Sequence, residues 1–183
     1  MTLRAFVKSR PILLRLAQSL RRIAIALRQP RRSLLTLSYR CRLAHCGRHV
    51  DFSTTVILRN PRNISIGDRC SFSNYVICDG HDRITIGNDC MFANGVMIST
   101  ATHDYRVDPM NSRMVTSPVT IGDNVWCGVG SIIMPGVRVG DGAVIGAGAL
   151  ILRDVPDNAI MGGVPARVIG HRPGPLASKD PAE

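Results

Sequence analysis

Aromatic residues are scarce in this chain, at 4% with one Trp, three Tyr and four Phe, which argues against a wide core built around large rings. Asp and Glu are missing altogether from Met1 to His45, a stretch holding eleven Arg or Lys, whereas the remainder holds twelve basic and thirteen acidic residues. The formal charge of +10 therefore belongs to one end of the chain. No apolar run reaches the roughly 18 residues of a spanning helix. The CxxC spacing of a zinc site is absent, as is a Ser nucleophile motif, and no metal is called for. Six Cys without a pairing pattern favour a reducing compartment. At 183 residues and 45% hydrophobic content, one domain with an adequate core is expected.

What the chain has instead is a period of six. From Ile121 to Pro156 a large aliphatic or Cys recurs at Ile121, Cys127, Ile133, Val139, Ile145 and Ile151. Four residues after each stands a small or β-branched residue: Val125, Ser131, Val137, Ala143, Ala149 and Val155. No helix has that period. A hexad of this kind supplies one short strand and one tight turn, so three hexads make a triangular coil of a parallel β-solenoid. The lead residue is expected at an interior corner, with Gly or Asn supporting the positive φ of sharp turns.

Earlier in the chain the period is 20. CGRHVDFSTTVI, IGDRCSFSNYVI and IGNDCMFANGVM align without gaps and put Phe52, Phe72 and Phe92 in register. Each 20 is three hexads plus a pair, Ile64-Ser65 or Ile84-Thr85, with Val119-Thr120 as a third. Five coils are expected, beginning near 46, 66, 86, 121 and 139. Cys46, Cys78 and Cys127 fall at lead positions and Cys70 and Cys90 at small interior ones, where a free thiol packs as a small hydrophobe. Cys41 lies in the segment before the coils.

That segment, residues 1–45, reads as a basic amphipathic helix. Leu13, Leu16, Leu20, Ile23 and Leu27 form a stripe at helical spacing, Arg residues lie mostly across from it, and Pro30 ends it. Such a helix is suited to an anionic membrane interface, and equally to capping the first coil or a neighbouring subunit. Residues 171–183 read as a flexible tail. Nucleic-acid binding is not expected, because the basic segment is too apolar and the rest is near neutral.

One coil is abnormal. From Ile86 to Ile121 is one coil plus about 17 residues, and the surplus places an extruded loop at 103–118, with His103 where it begins. A single loop leaving a regular solenoid is where chemistry is sought.

The hexads, His103 at the start of the loop, PVTIGDNVW (118–126), IGAGALILRDVP (145–156) and GGVPARVIG (162–170) together resemble the hexapeptide-repeat O-acetyltransferases, in particular the galactoside, maltose and polysaccharide branch. The resemblance covers residues 46–170. It implies an all-β, left-handed parallel β-helix, a homotrimer with acetyl-CoA as acyl donor in the cleft between subunits, a sugar or glycan acceptor, and His103 as general base. Asp104, Asp108 or a backbone carbonyl is left to orient that imidazole. Donor contacts map onto Gly128, Val129, Ala147, Leu152, Arg153 and Arg167, with Leu152 standing where the family commonly has Thr or Ser. The branch grips its sugar with an Asn and an Asp at positions near Ser73 and His81, and neither type is retained. Asn74, Asp79, His81, Asp82 and Tyr105 are the acceptor-side candidates. An acceptor from polysaccharide or lipopolysaccharide biosynthesis is expected, in the cytoplasm with peripheral contact at the inner membrane face. The competing readings are a serine O-acetyltransferase or amino-sugar N-acetyltransferase, a γ-class carbonic anhydrase, for which no second His lies within ten residues of His103, and a noncatalytic scaffold.

Overall fold

The computed structural model describes residues 37–173. The apolar stripe of the N-terminal helix and the tail beyond 173 lie outside them. Among the described residues no helix is long and apolar enough to cross a membrane.

The hexads form a three-sided prism. Turn one comprises β1 (His45–Cys46), β2 (Asp51–Phe52) and β3 (Ile57–Arg59); turn two, β4 (Ile64–Ile66), β5 (Ser71–Phe72) and β6 (Ile77–Asp79). Turn three holds β7 (Ile84–Ile86), β8 (Met91–Phe92) and β9 (Met97–Ser99), followed by β10 (Ala101–His103) and β11 (Met114–Thr116) of the extruded loop. Turn four is β12 (Val119–Ile121), β13 (Trp126–Cys127) and β14 (Ile132–Ile133); turn five, β15 (Arg138–Val139), β16 (Val144–Ile145) and β17 (Leu150–Ile151). The strands stack in parallel into three faces: the first from β1 to β15, the second from β2 to β18 (Ala159–Gly163), the third from β3 to β17. An isolated bridge from Val139 to Val155, and β18 itself, begin a sixth turn beyond the five expected. The last strand, β19 (Ala166–His171), folds back antiparallel on β18.

The interior is a set of ladders. The second face stacks Phe52, Phe72 and Phe92, with ring centroids 5.0 and 4.7 Å apart; each such pair adds about 0.5–1.5 kcal/mol beyond burial. Tyr39, in the helical residues 37–40, closes the open end of this stack edge-on to Phe52 at 5.2 Å and donates its hydroxyl to the Val56 carbonyl. The third face stacks Leu58, Cys78, Ile98, Ile133 and Ile151, all buried. Lead residues thus lie on the flat strands rather than at the corners, and the small residues end the turns before them. The extra pairs lengthen the first face and add Ile64, Ile84 and Val119 to the interior, each fully buried. Burial pushes the Cys78 and Cys127 thiols up to about 12, as suits core packing.

The glycines after the lead residues serve close approach rather than positive φ. A Cβ on Gly87 would sit 2.7 Å from the carbonyl group of Gly122 in the next turn and overlap Asp123 Oδ1. That oxygen accepts the Asn88 N–H at 2.7 Å, and the same bond joins Arg48 to Asp68, Asp68 to Asn88, Asp123 to Asp141 and Asp141 to Asp157. The left-handed conformation falls two residues after these glycines, at His49, Arg69, Asp89, Asn124 and Gly142. Gly87→Ala is expected to destabilise the protein by about 1–3 kcal/mol through overpacking, seen as a lower urea midpoint with the slope unchanged.

Candidate functional site

Two edges of the prism matter. The corner joining second to third face carries residues 73–76, 93–96, 128–131 and 146–149; the corner joining third to first carries 60–63, 80–83, the extruded loop, 134–137 and 152–154.

The extruded loop is an antiparallel hairpin. Ala101, Thr102 and His103 pair with Thr116, Val115 and Met114, so it leaves the prism two residues before His103. His103 is exposed. Its neighbour Asp104 is covered within the loop and is 7% exposed. The Arg106 guanidinium donates to Asp104 at 2.9 and 3.3 Å, the Arg106 N–H adds a bond of 3.1 Å, and Arg113 stands 3.7 Å away. The hydrogen bonds from Arg106, helped by Arg113, hold the Asp104 carboxyl below its usual range. Its oxygens are thereby bonded within the hairpin.

Sequence reasoning missed the residue that roots this hairpin. Thr100 is fully buried; its hydroxyl donates to the Asp79 carbonyl at 2.9 Å and accepts the Asp82 N–H at 2.8 Å. The base of the hairpin is thus tied to the acceptor-side corner of the turn before it. Thr lies where the coil pattern already fails, so periodicity gave no signal. At that corner His81 Nδ1 lies 3.0 Å from Asp79 Oδ1, within ion-pair reach, yet the N–H is not aligned on this buried oxygen, which has no hydrogen-bond donor. Asp79 Oδ2 stands 3.5 Å from Arg59. Tyr105 is 79% exposed beyond the end of β10.

The structure gathers Asp79, His81 and Asp82 beneath the hairpin and leaves Asn74 on the other edge. There Asn74 Oδ1 takes the hydroxyls of Ser53 and Thr55, and the Asn74 N–H bonds Asn94 Oδ1 at 3.1 Å, a rung of the corner ladder. Gly128, Val129 and Ala147 share that second edge; Val129 and Ala147 are exposed and Gly128 is buried. Leu152 and Arg153 return to the hairpin's edge two turns above it. The GGVPAR run makes the two-residue turn between β18 and β19, with Gly163 at φ 96° opposite Ala166. This folds Arg167 back beside Leu152 and Arg153, and the three share a cavity of about 100 Å³ with Ile151, Met161 and Pro165. Among the described residues no group of three or more His, Cys, Asp or Glu is placed to hold a metal ion.

A solved structure of a maltose O-acetyltransferase from Clostridium difficile 630 superposes with a TM-score of 0.70 at 37% identity, covering 74% of this chain and 73% of that one. The chain belongs to the hexapeptide-repeat acetyltransferase family. The family model described as bacterial transferase hexapeptide (six repeats) matches residues 118–153. A galactoside acetyltransferase solved in complex with coenzyme A has a TM-score of 0.69 at 32% identity, covering 73% of this chain and 67% of that one. The galactoside O-acetyltransferase of Escherichia coli (strain K12) is 51% identical over 59 residues, 32% of this chain and 29% of that relative. The aligned stretch thus spans less than a third of that protein.

The Asp104 anchor is open to a pH test. With its folded pKa depressed, the carboxylate anchors the hairpin above the unfolded value near 4 and loses that contribution as pH falls through the lower folded value. Asp104→Asn is expected to speed proteolysis within 105–112 at neutral pH and to remove the acid dependence of that cleavage.

Proposed function

We propose that the protein is an acetyl-CoA-dependent O-acetyltransferase acting on a hydroxyl of a sugar, with His103 as general base. The observation that carries this reading is the edge itself: an exposed His103 on a rooted hairpin, with Arg153 and the Arg167 cavity two turns above. The names of the related proteins, maltose and galactoside O-acetyltransferases, support the same chemistry.

A neutral imidazole at His103 takes the proton of the acceptor hydroxyl as its oxygen attacks the thioester carbonyl. The C–S bond breaks, and the imidazolium returns the proton to the departing thiolate. Such base catalysis contributes roughly 10² to 10⁴-fold, and holding both substrates together makes a covalent acyl-enzyme unnecessary. Arg153 and Arg167 are suited to coenzyme phosphates through charge-assisted bonds.

Gly128, Val129 and Ala147 stand across the third face from His103 and Arg153, so one copy does not bring all the donor contacts together. One outward ladder of that face is apolar, Ile57, Ile77, Met97, Ile132 and Leu150, with Ile57 44% and Met97 38% exposed, beside the shorter polar ladder Arg59, Asp79 and Ser99. A homotrimer with donor sites between adjacent subunits would cover it. The basic residues of the first 45 support an acceptor met at an anionic membrane face, as in polysaccharide or lipopolysaccharide assembly.

The test is acetyl-CoA turnover with a panel of sugar acceptors, read as thiol release. His103→Ala is expected to lose at least about 10²-fold in kcat with acetyl-CoA affinity retained, whereas Arg153→Gln and Arg167→Gln raise the KM for acetyl-CoA. Full turnover in His103→Ala would remove the general-base assignment.

A further inference from the structure

The hairpin's edge continues downward past His81 to a cavity that none of the chemistry above uses. Residues 41–44 run alongside the first corner, with the Ala44 N–H donating to the carbonyls of Pro61 and Ile64. Between them lies a cavity of about 470 Å³ lined by Cys41, Arg42, Asn60, Pro61, Arg62 and Asn63. Arg42 and Arg62 are exposed, and neither has a carboxylate partner among the described residues. Elsewhere among the described residues Arg59, Arg69, Arg106 and Arg113 face carboxylates, while Arg138, Arg153, Arg167 and Arg172 are, like Arg42 and Arg62, without one. Asn60 is held in the left-handed conformation at φ 48°, and Asn63 Nδ2 donates to the Gly80 carbonyl at 2.9 Å. The wall of the cavity is therefore bonded to the corner that carries His81 and Asp82.

Two guanidiniums without a carboxylate partner and the Asn60 amide beside one cavity, on a wall fixed by Asn63, make a set of donors suited to phosphate oxygens. With about 4.8 Å between stacked strands, the cavity lies two turns, roughly 10 Å, below the hairpin that carries His103. That rise is of the order of one phosphorylated sugar between an anionic group in the cavity and a hydroxyl near the hairpin. We propose that the acceptor is a phosphorylated sugar, and that Arg42 and Arg62, with Asn60, hold its phosphate while His103 addresses a hydroxyl further along the same molecule. This rests on the acyltransferase reading and adds the class of acceptor. A sugar 1-phosphate, a nucleoside diphosphate sugar and a polyprenyl diphosphate sugar share this chemistry.

The experiment uses the full chain in two arms. In the first, calorimetry with coenzyme A at saturation, so that its own phosphate site is filled, measures binding of inorganic pyrophosphate to wild type, Arg42→Gln, Arg62→Gln and Arg153→Gln. The expected result is at least a tenfold loss of affinity in Arg42→Gln and Arg62→Gln and none in Arg153→Gln; no binding, or equal binding in all four, would overturn the proposal. In the second, acetyl transfer is compared among hexoses, hexose 1-phosphates, uridine diphosphate hexoses and polyprenyl diphosphate hexoses. Phosphorylated acceptors are expected to exceed the free hexose at least tenfold in kcat/KM, with that preference lost in Arg62→Gln and the KM for acetyl-CoA unchanged. Equal rates on free and phosphorylated hexoses would overturn it, and the better diphosphate identifies a soluble or lipid-borne source. If acetyl-CoA is neither bound nor consumed, the acyltransferase reading fails by itself and the pyrophosphate arm still decides the cavity.

Discussion

The structure depends on one constraint: the strands of each turn satisfy their backbone hydrogen bonds through the turn above and the turn below. Strands of two or three residues have no stability of their own, so every turn must repeat the same rise and the same inward residue as its neighbours. The tightest expression of this lies at the corner between the first and second faces, where glycine lets one turn approach the carbonyl of the next and an Asp or Asn oxygen accepts the N–H of the residue below. A side chain at any of these glycines would hold two turns apart. The phenylalanine ladder then fills the interior at a spacing the backbone has already set.

Departures from the repeat are correspondingly informative. The one coil that extrudes a hairpin still returns Val119 opposite Ile84, in register, because losing register would turn every later inward residue outward. The hairpin needs its own supports, since it has no turn above or below it. Thr100 supplies the root and Asp104, gripped by Arg106 and Arg113, supplies the anchor. What this hairpin leaves exposed above the turn beneath is His103.

With the candidate residues on two edges separated by a face that carries an apolar ladder, the proposed reaction calls for more than one copy of the chain. Each edge taken singly is a row of corners stacked one above another. On the hairpin's edge that row runs from the guanidiniums of Arg42 and Arg62, through Asp79, His81 and His103, to Arg153 and Arg167, so guanidiniums without carboxylate partners stand at both ends and, between them, Asp79 and Asp104 face arginines. Such an order suits two anionic substrates meeting end to end at the imidazole.

The fold was legible from the sequence because a solenoid's tertiary contacts repeat locally: the periods of 6 and 20, the aligned Phe52, Phe72 and Phe92 and the buried Cys78 and Cys127 all follow from stacking like on like. The excess between Ile86 and Ile121 likewise marked where the repeat opens. Periodicity says nothing about non-repeating contacts, and these only the tertiary structure decided. It committed Asp104 to Arg106 and Arg113, tied Thr100 to the corner below, put Asn74 into a structural ladder on the other edge, and folded Arg167 back onto Leu152 and Arg153 through the turn at Val164 and Pro165. Apart from the Asn74 rung, which follows the 20-residue repeat, each of these joins residues outside the hexad register, where hydrogen-bond geometry rather than pattern selects the partner.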